Sequence, residues 1–176
     1  VKERNITDAR TNSRFHFYEL DITEPGNFDM LNGRQFDIIF HLAAKAGVRP
    51  SVEAPEKYIK TNINGTLNIL EYMRSSHSRK LVFASSSSIY GNCKITPFNE
   101  AMPVDEPISP YAFTKKSCEL LNYNYHHLYH LDIINLRFFT VYGPRQRPDL
   151  AIHKFLNKIS KGRTIEIYGD GSTSRD

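Results

Sequence analysis

Much that would specialise a chain is missing from these 176 residues. There are two cysteines, Cys93 and Cys118, too few for a multi-disulfide framework, so a reducing cytoplasm is the expected compartment. Nine glycines and nine prolines exclude collagen-like and low-complexity material. No apolar run approaches the roughly 20 residues that a membrane helix needs. The opening Val1-Lys2-Glu3-Arg4-Asn5 has no initiator Met and no apolar signal-peptide core, so 176 need not be the length of the natural polypeptide. Repeats and linkers are missing too. So is charge of one sign: 23 Lys and Arg against 19 Asp and Glu leave a scattered +4. A nucleic-acid binder would gather that charge on one face, whereas a mild positive field suits an anionic small molecule such as a nucleotide.

What is present is enough for a packed α/β domain. A hydrophobic fraction of 40% with 11 Phe and 10 Tyr excludes disorder. Short apolar strands alternate with longer helical patterns. Strands are predicted over 15–21, 36–44, 80–84, 132–139 and 164–168. Helices are predicted over 58–73, 111–131 and 151–161, the last closed by Gly162. Such alternation implies parallel pairing in a doubly wound sheet, with ligands beyond the carboxyl ends of the strands. That rule sends four segments to one site: Asp21-Ile22, Leu42 to Gly47, Ser85 to Ser88, and Phe139 to Arg147.

Tyr111 and Lys115 are four apart at the start of a predicted helix and share a face. Tyrosine, with a reference pKa of about 10, is a poor base near neutrality. An adjacent ammonium and a helix N-terminus both favour the phenolate. A strand runs into Ser85-Ser86-Ser87-Ser88, and a serine hydroxyl beside a tyrosinate relays a proton or binds an oxyanion. His126 and His130 also share a helix face, but no carboxylate follows at useful spacing, so a packed or solvated face is expected and no metal site.

Several stretches carry a family pattern in order: His41-Leu42-Ala43-Ala44-Lys45-Ala46-Gly47-Val48-Arg49, Asn62 to Glu71, Ala84 to Gly91, Ser109-Pro110-Tyr111-Ala112-Phe113-Thr114-Lys115-Lys116, Leu136 to Pro144, Arg147-Pro148-Asp149 and Gly169 to Asp176. With them the chain resembles an extended short-chain dehydrogenase/reductase, most closely the NAD-dependent nucleotide-sugar epimerases of the UDP-glucuronate 4-epimerase type. The resemblance implies a Rossmann-like fold, with an NAD-binding domain over 1–143 and the start of a nucleotide-sugar-binding region over 144–176. It implies an isomerase that uses NAD to turn UDP-glucuronate into UDP-galacturonate through a 4-keto intermediate, working as a homodimer.

The same resemblance assigns roles. Tyr111 would be the base at the sugar 4-hydroxyl, Lys115 would bind the nicotinamide ribose, and Ser86 would be the catalytic hydroxyl residue, also touching substrate. Asp21 and Ile22 would flank adenine. Leu42, Ala43, Ala44, Ala46, Thr61 and Phe139 would line the cofactor. Thr140, Arg147 and Arg175 would contact the nucleotide sugar, guanidinium forks suiting diphosphate and carboxylate oxygens. Dehydratase relatives carry Asp and Glu just after the catalytic hydroxyl residue; Ser87 and Ser88 cannot supply that acid–base pair, which favours plain epimerisation. Thr140, where UDP-glucose 4-epimerases usually carry Asn, leans towards a uronate.

The chain departs from the pattern in lacking a glycine-rich phosphate loop: Gly26 and Gly33 have the wrong spacing, and Gly169 and Gly171 come after the last predicted strand. The first two strands of the family are therefore expected before Val1, and the rest of the substrate domain after Asp176. Epimerisation of UDP-glucose or a UDP-N-acetylhexosamine is the alternative reading, as is an inactive binding or dimerisation module.

Overall fold

A computed structural model describes residues 5–148, 150–166 and 170. Its contacts divide the chain into two units, residues 18–139 and residues 1–17 with 140–176.

The larger unit is built on three parallel strands in the order β1-β2-β3: β1 at Ile39–His41, β2 at Lys80–Ser86 and β3 at Asp132–Phe138. Phe40 lies beside Val82, Ser85 beside Arg137 and Ser86 beside Phe138. Between the strands run the crossover helices expected of parallel pairing. Helices α2 (Val48–Glu53) and α3 (Pro55–Tyr58) lead into a π-turn over Ile59–Asn64 and then α4 (Gly65–Ser75). Helix α5 spans Pro110–Tyr129. It starts cleanly because Ser109 accepts the Ala112 N–H at 3.1 Å and Pro110 needs no partner for a missing N–H.

One face of the sheet is packed and the other is not. Leu81 and Phe83 point into a core with Ile69, Leu70, Met73, Cys118, Tyr125 and Leu131. On the opposite face Phe40 is 64% exposed and Ile134 53%. Alternation of side chains across each strand separates the two sets. A smaller cluster of Ile89, Tyr90 and Val104 closes the chain beyond β2.

Four expectations change. Residues 15–21 do not form a strand: none of their backbone joins the three-stranded ladder, and a strand exists only where a neighbour takes up its hydrogen bonds. The expected strand over 36–44 shrinks to Ile39–His41, which among the described residues pairs with β2 alone. Residues 164–166 are not in a strand, and 167–168 lie outside the described residues. Helix 58–73 is present but continues from α3 through the π-turn rather than as one regular helix.

In the smaller unit, α6 (Ala151–Ser160) is amphipathic, its Ile152, Leu156 and Ile159 on one stripe, and it ends at Gly162 with φ +61°. The short α1 (Thr7–Arg10) belongs to the same unit.

Candidate active site

The carboxyl ends of β1 and β2 and the first turns of α5 make the site. β1 runs directly into Leu42 to Ala46. Leu42, Ala43 and Ala46 are exposed and Ala44 half-buried, an open apolar ledge. The ledge is held from behind by Asn62 in the π-turn. Its side-chain oxygen accepts the Lys45 N–H at 2.8 Å, while its amide donates to Lys45 O at 3.1 Å and to Thr114 Oγ1 at 3.0 Å. A π-turn widens a helix by one residue, and here the irregularity turns a fully buried Asn62 towards the loop. Thr61, half-buried, sits on the same turn.

Ile22 packs on the first turn of α4. Asn68 donates to Ile22 O at 2.8 Å. Ile22 comes so close to Gly65 that a Cβ there would lie 2.6 Å from its Cδ1, so the approach requires glycine. The exposed Asp21 carboxylate accepts the Thr23 N–H at 2.8 Å. That bond, then the Thr23 hydroxyl and the Lys60 charge, hold its pKa below the usual carboxylate value. An ionised carboxylate accepts hydrogen bonds and donates none, so Asp21 can take one from the N–H of a ligand.

At the end of β2, Ser86 caps the short 3-10 turn Ser87–Tyr90 by accepting the Ser88 N–H at 3.2 Å. It donates to none of the described residues in return, which leaves the hydroxyl hydrogen for a ligand. Ser87 and Ser88 follow, half-buried, with no carboxylate among them.

Helix α5 presents Tyr111, Lys115, Glu119 and Asn122 as one stripe, spaced by four and three residues. Tyr111 is half-buried, its ring edge-on to Tyr58 with centroids 6.3 Å apart. Lys115 is 4% exposed; its ammonium donates to Ala84 O at 2.7 Å and lies 4.9 Å over the Phe83 ring. Burial lowers its pKa to about 8. Glu119 accepts from Ser85 at 2.5 Å and holds Arg137 of β3 at 3.0 and 3.2 Å. Arg137 reaches on to the Tyr90 hydroxyl at 3.1 Å. Asn122 donates to Asn135 at 2.7 Å. Thus one helix stripe is tied both to β2, whose end carries the serines, and to its neighbour β3.

His41, at the end of β1, is 3% exposed, and its Nε2 lies 3.0 Å from Thr66 Oγ1. The Thr66 hydroxyl donates to Asn62 O at 2.6 Å, so Nε2 carries the proton. Desolvation first, and the Lys115 charge second, push the His41 pKa down to about 4.

Of the residues named from the sequence, Ser86, Lys115, Tyr111 and the 42–46 ledge fall within this one unit, with Asp21, Ile22, Thr61 and an exposed Phe139. Thr140 and Arg147 are exposed residues of the smaller unit, and Arg175 lies outside the described residues. Ser51, Tyr58, Asn62, Glu119 and Arg137 were not singled out. Glu119 had a signal, the four-residue step that already joins Tyr111 to Lys115. Ser51 had none, because its partner is 60 residues away. His126 does not stand free for a metal: its Nδ1 is 2.7 Å from Leu131 O. No group of three or more His, Cys, Asp or Glu among the described residues could hold a metal ion.

A dinucleotide fits these residues at its two ends: an acceptor carboxylate at Asp21, an apolar ledge at 42–46, and a buried cation at Lys115. Among the described residues no glycine-rich turn stands ready for the phosphates between them.

The model for the NAD dependent epimerase/dehydratase family matches residues 1–176. A UDP-glucuronate 4-epimerase of Thermodesulfobacterium geofontis is 47% identical over 180 residues, covering 100% of this chain and 54% of that protein. A crystal structure of UDP-glucuronic acid 4-epimerase from Bacillus cereus, in complex with UDP-glucuronic acid and NAD, superposes with a TM-score of 0.81 at 36% identity, over 97% of this chain and 54% of that one. A dTDP-glucose 4,6-dehydratase from Streptomyces venezuelae with NAD bound superposes with a TM-score of 0.87 at 30% identity, over 97% and 52%. The chain spans about half the length of the curated relatives it matches.

Proposed function

We propose, for a chain that belongs to the NAD-dependent epimerase/dehydratase family, that it supplies the catalytic residues of a UDP-sugar 4-epimerase interconverting UDP-glucuronate and UDP-galacturonate. The observation that carries this reading is Tyr111 in the first turn of α5, set on one stripe with Lys115, whose ammonium bonds Ala84 O of the strand that runs into the serine run.

Tyr111 takes the proton from the sugar 4-hydroxyl and later returns it. The buried Lys115, with its pKa lowered to about 8, remains largely protonated at neutral pH on the same stripe of α5. Ser86, with its oxygen engaged by Ser88 N–H and its hydrogen unspent, hydrogen-bonds the 4-oxygen as charge develops there. NAD, when bound, supplies reversible hydride transfer at C4. Asp21 and Ile22 hold its adenine, Leu42, Ala43, Ala44, Ala46, Thr61 and Phe139 line it, and Lys115 meets its ribose. Ser87 and Ser88 cannot eliminate water across C5 and C6, which supports epimerisation over the dehydration of the Streptomyces relative. Thr140, Arg147 and Arg175 contact the nucleotide sugar, and residues 1–143 and 144–176 are read as the cofactor and sugar regions.

The working form is a homodimer. The exposed Leu67 of α4 and the exposed Phe113, Leu120 and Tyr123 of α5 support this, as an apolar surface on the two long helices. Among the described residues, no helix is long and apolar enough to cross a membrane. Two free thiols support a reducing, cytoplasmic location.

The test is an NMR time course of the full chain with NAD and UDP-glucuronate, with UDP-glucose and UDP-N-acetylglucosamine as competitors. UDP-galacturonate is expected. UDP-xylose, or turnover of only the neutral sugars, overturns the uronate reading.

A further inference from the structure

Ser51 lies on α2, 0% exposed, and the proposed reaction gives it no role. Its place follows from an accounting of the first N–H groups of α5, which have no partner inside the helix. Pro110 has none to satisfy. The Ala112 N–H goes to Ser109 Oγ at 3.1 Å, and the Phe113 N–H to Ser109 O at 2.8 Å. The Tyr111 N–H is left, and it donates to Ser51 Oγ at 3.1 Å. The Ser51 hydroxyl in turn donates to Val48 O at 2.5 Å, which fixes its hydrogen and aims a lone pair at Tyr111.

A second arm runs in parallel. The Tyr58 hydroxyl donates to Ala46 O at 3.1 Å, and its ring meets the Tyr111 ring edge-on. The carbonyls of Ala46 and Val48 flank Gly47, whose φ of +110° suits glycine alone and whose missing Cβ would lie 3.3 Å from Pro50. The loop that continues the cofactor-lining ledge is thus gripped by the same two residues that grip Tyr111, one by its backbone and one by its ring.

We infer that Ser51 is a positioning residue for Tyr111, locking the base to the Leu42–Val48 segment so that cofactor and base keep a fixed separation. The inference rests on the reading of Tyr111 as base. In the full chain with NAD and UDP-glucuronate, Ser51→Ala is expected to lower kcat by about ten- to a hundredfold, since small misplacements of a reacting group cost that much. KM for the sugar is expected to stay within about twofold. Ser51→Thr, which keeps the acceptor oxygen, is expected to restore kcat. The Tyr111 amide is expected to exchange faster in Ser51→Ala while the amides of Lys115 and Cys118 do not. An unchanged kcat in folded Ser51→Ala, or a Tyr111 amide exchanging at the wild-type rate, overturns the inference. Should Ser51→Ala fail to fold, Tyr58→Phe removes the second arm, and a kcat equal to wild type there overturns it as well. A wild-type chain that does not epimerise overturns the functional reading itself, and the amide measurement, which needs no turnover, tells that failure from the loss of the bond.

Discussion

Along α5, the part from Tyr111 through Asn122 sets mainly polar groups against its neighbours, and the remainder sets mainly apolar surface, the Tyr125 and Tyr129 hydroxyls meeting Glu71 and Arg74 at its edge. The Tyr111 backbone N–H ends on Ser51, and the Lys115, Glu119 and Asn122 side chains end on Ala84, Ser85 with Arg137, and Asn135. Leu121, Tyr125 and Tyr129 instead pack with Leu70, Met73, Phe83 and Leu131. Both halves are well buried, so burial alone does not separate function from fold. What separates them is what the buried atoms require. Each buried polar group needs a partner at a fixed angle, so a polar interface specifies geometry, while an apolar one mainly contributes stability. The stripe that must hold a base within a fraction of an ångström is built from the first kind.

The sharpest way to break this division is Tyr111→Phe in the full chain. Loss of a positioned base is expected to cost about 10²- to 10⁴-fold in kcat, with the melting temperature unchanged, read by NMR turnover and calorimetry. A melting temperature that falls with kcat contradicts the division. Next is Glu119→Ala, which strands Arg137 (18% exposed side chain) without its carboxylate. It is expected to destabilise by about 3–5 kcal/mol in denaturant unfolding, because removing one member of a buried pair leaves the other unpaired. The matching change on the apolar side is Leu70→Ala, on α4 in the core that the C-terminal part of α5 joins. It is expected to cost about 2–5 kcal/mol of stability while kcat of the folded fraction stays at the wild-type value. The smallest effect concerns pH. His41 has a folded pKa of about 4, below the unfolded value, so its neutral form is favoured by folding. Its contribution is complete above pH 6.5 and is lost as pH falls towards 4, on the order of 2 kcal/mol by pH 5. Urea midpoints measured between pH 7 and 5 are expected to fall along that slope, and His41→Gln to flatten it.

Legibility in the sequence followed the same division. The strand over 80–86, the strand over 132–138 and the long helix after Pro110 are close to their expected bounds, because period and capping residues are local signals. The Tyr111–Lys115 step and the serine run were readable for the same reason. The strand expected over 15–21 failed because its apolar alternation is a preference, realised only where a neighbouring strand takes the hydrogen bonds. The π-turn at 59–64 left no trace in the spacing of Ile59, Ile63 and Leu67, since one extra residue shifts a helical face by less than the width of the stripe. Ser51 and Asn62 were invisible as functional residues because their partners lie 60 and 17 positions away, in contacts that only the fold creates.

The central claim, that Tyr111 serves a reversible oxidation at C4 of a UDP-uronate, is tested most directly with UDP-glucuronate deuterated at C4. In the full chain with NAD, the label is expected to reappear at C4 of UDP-galacturonate without loss to water, and Tyr111→Phe is expected to form that product about 10²- to 10⁴-fold more slowly. Deuterium exchanged into solvent, or product formed by Tyr111→Phe at the wild-type rate, would contradict it.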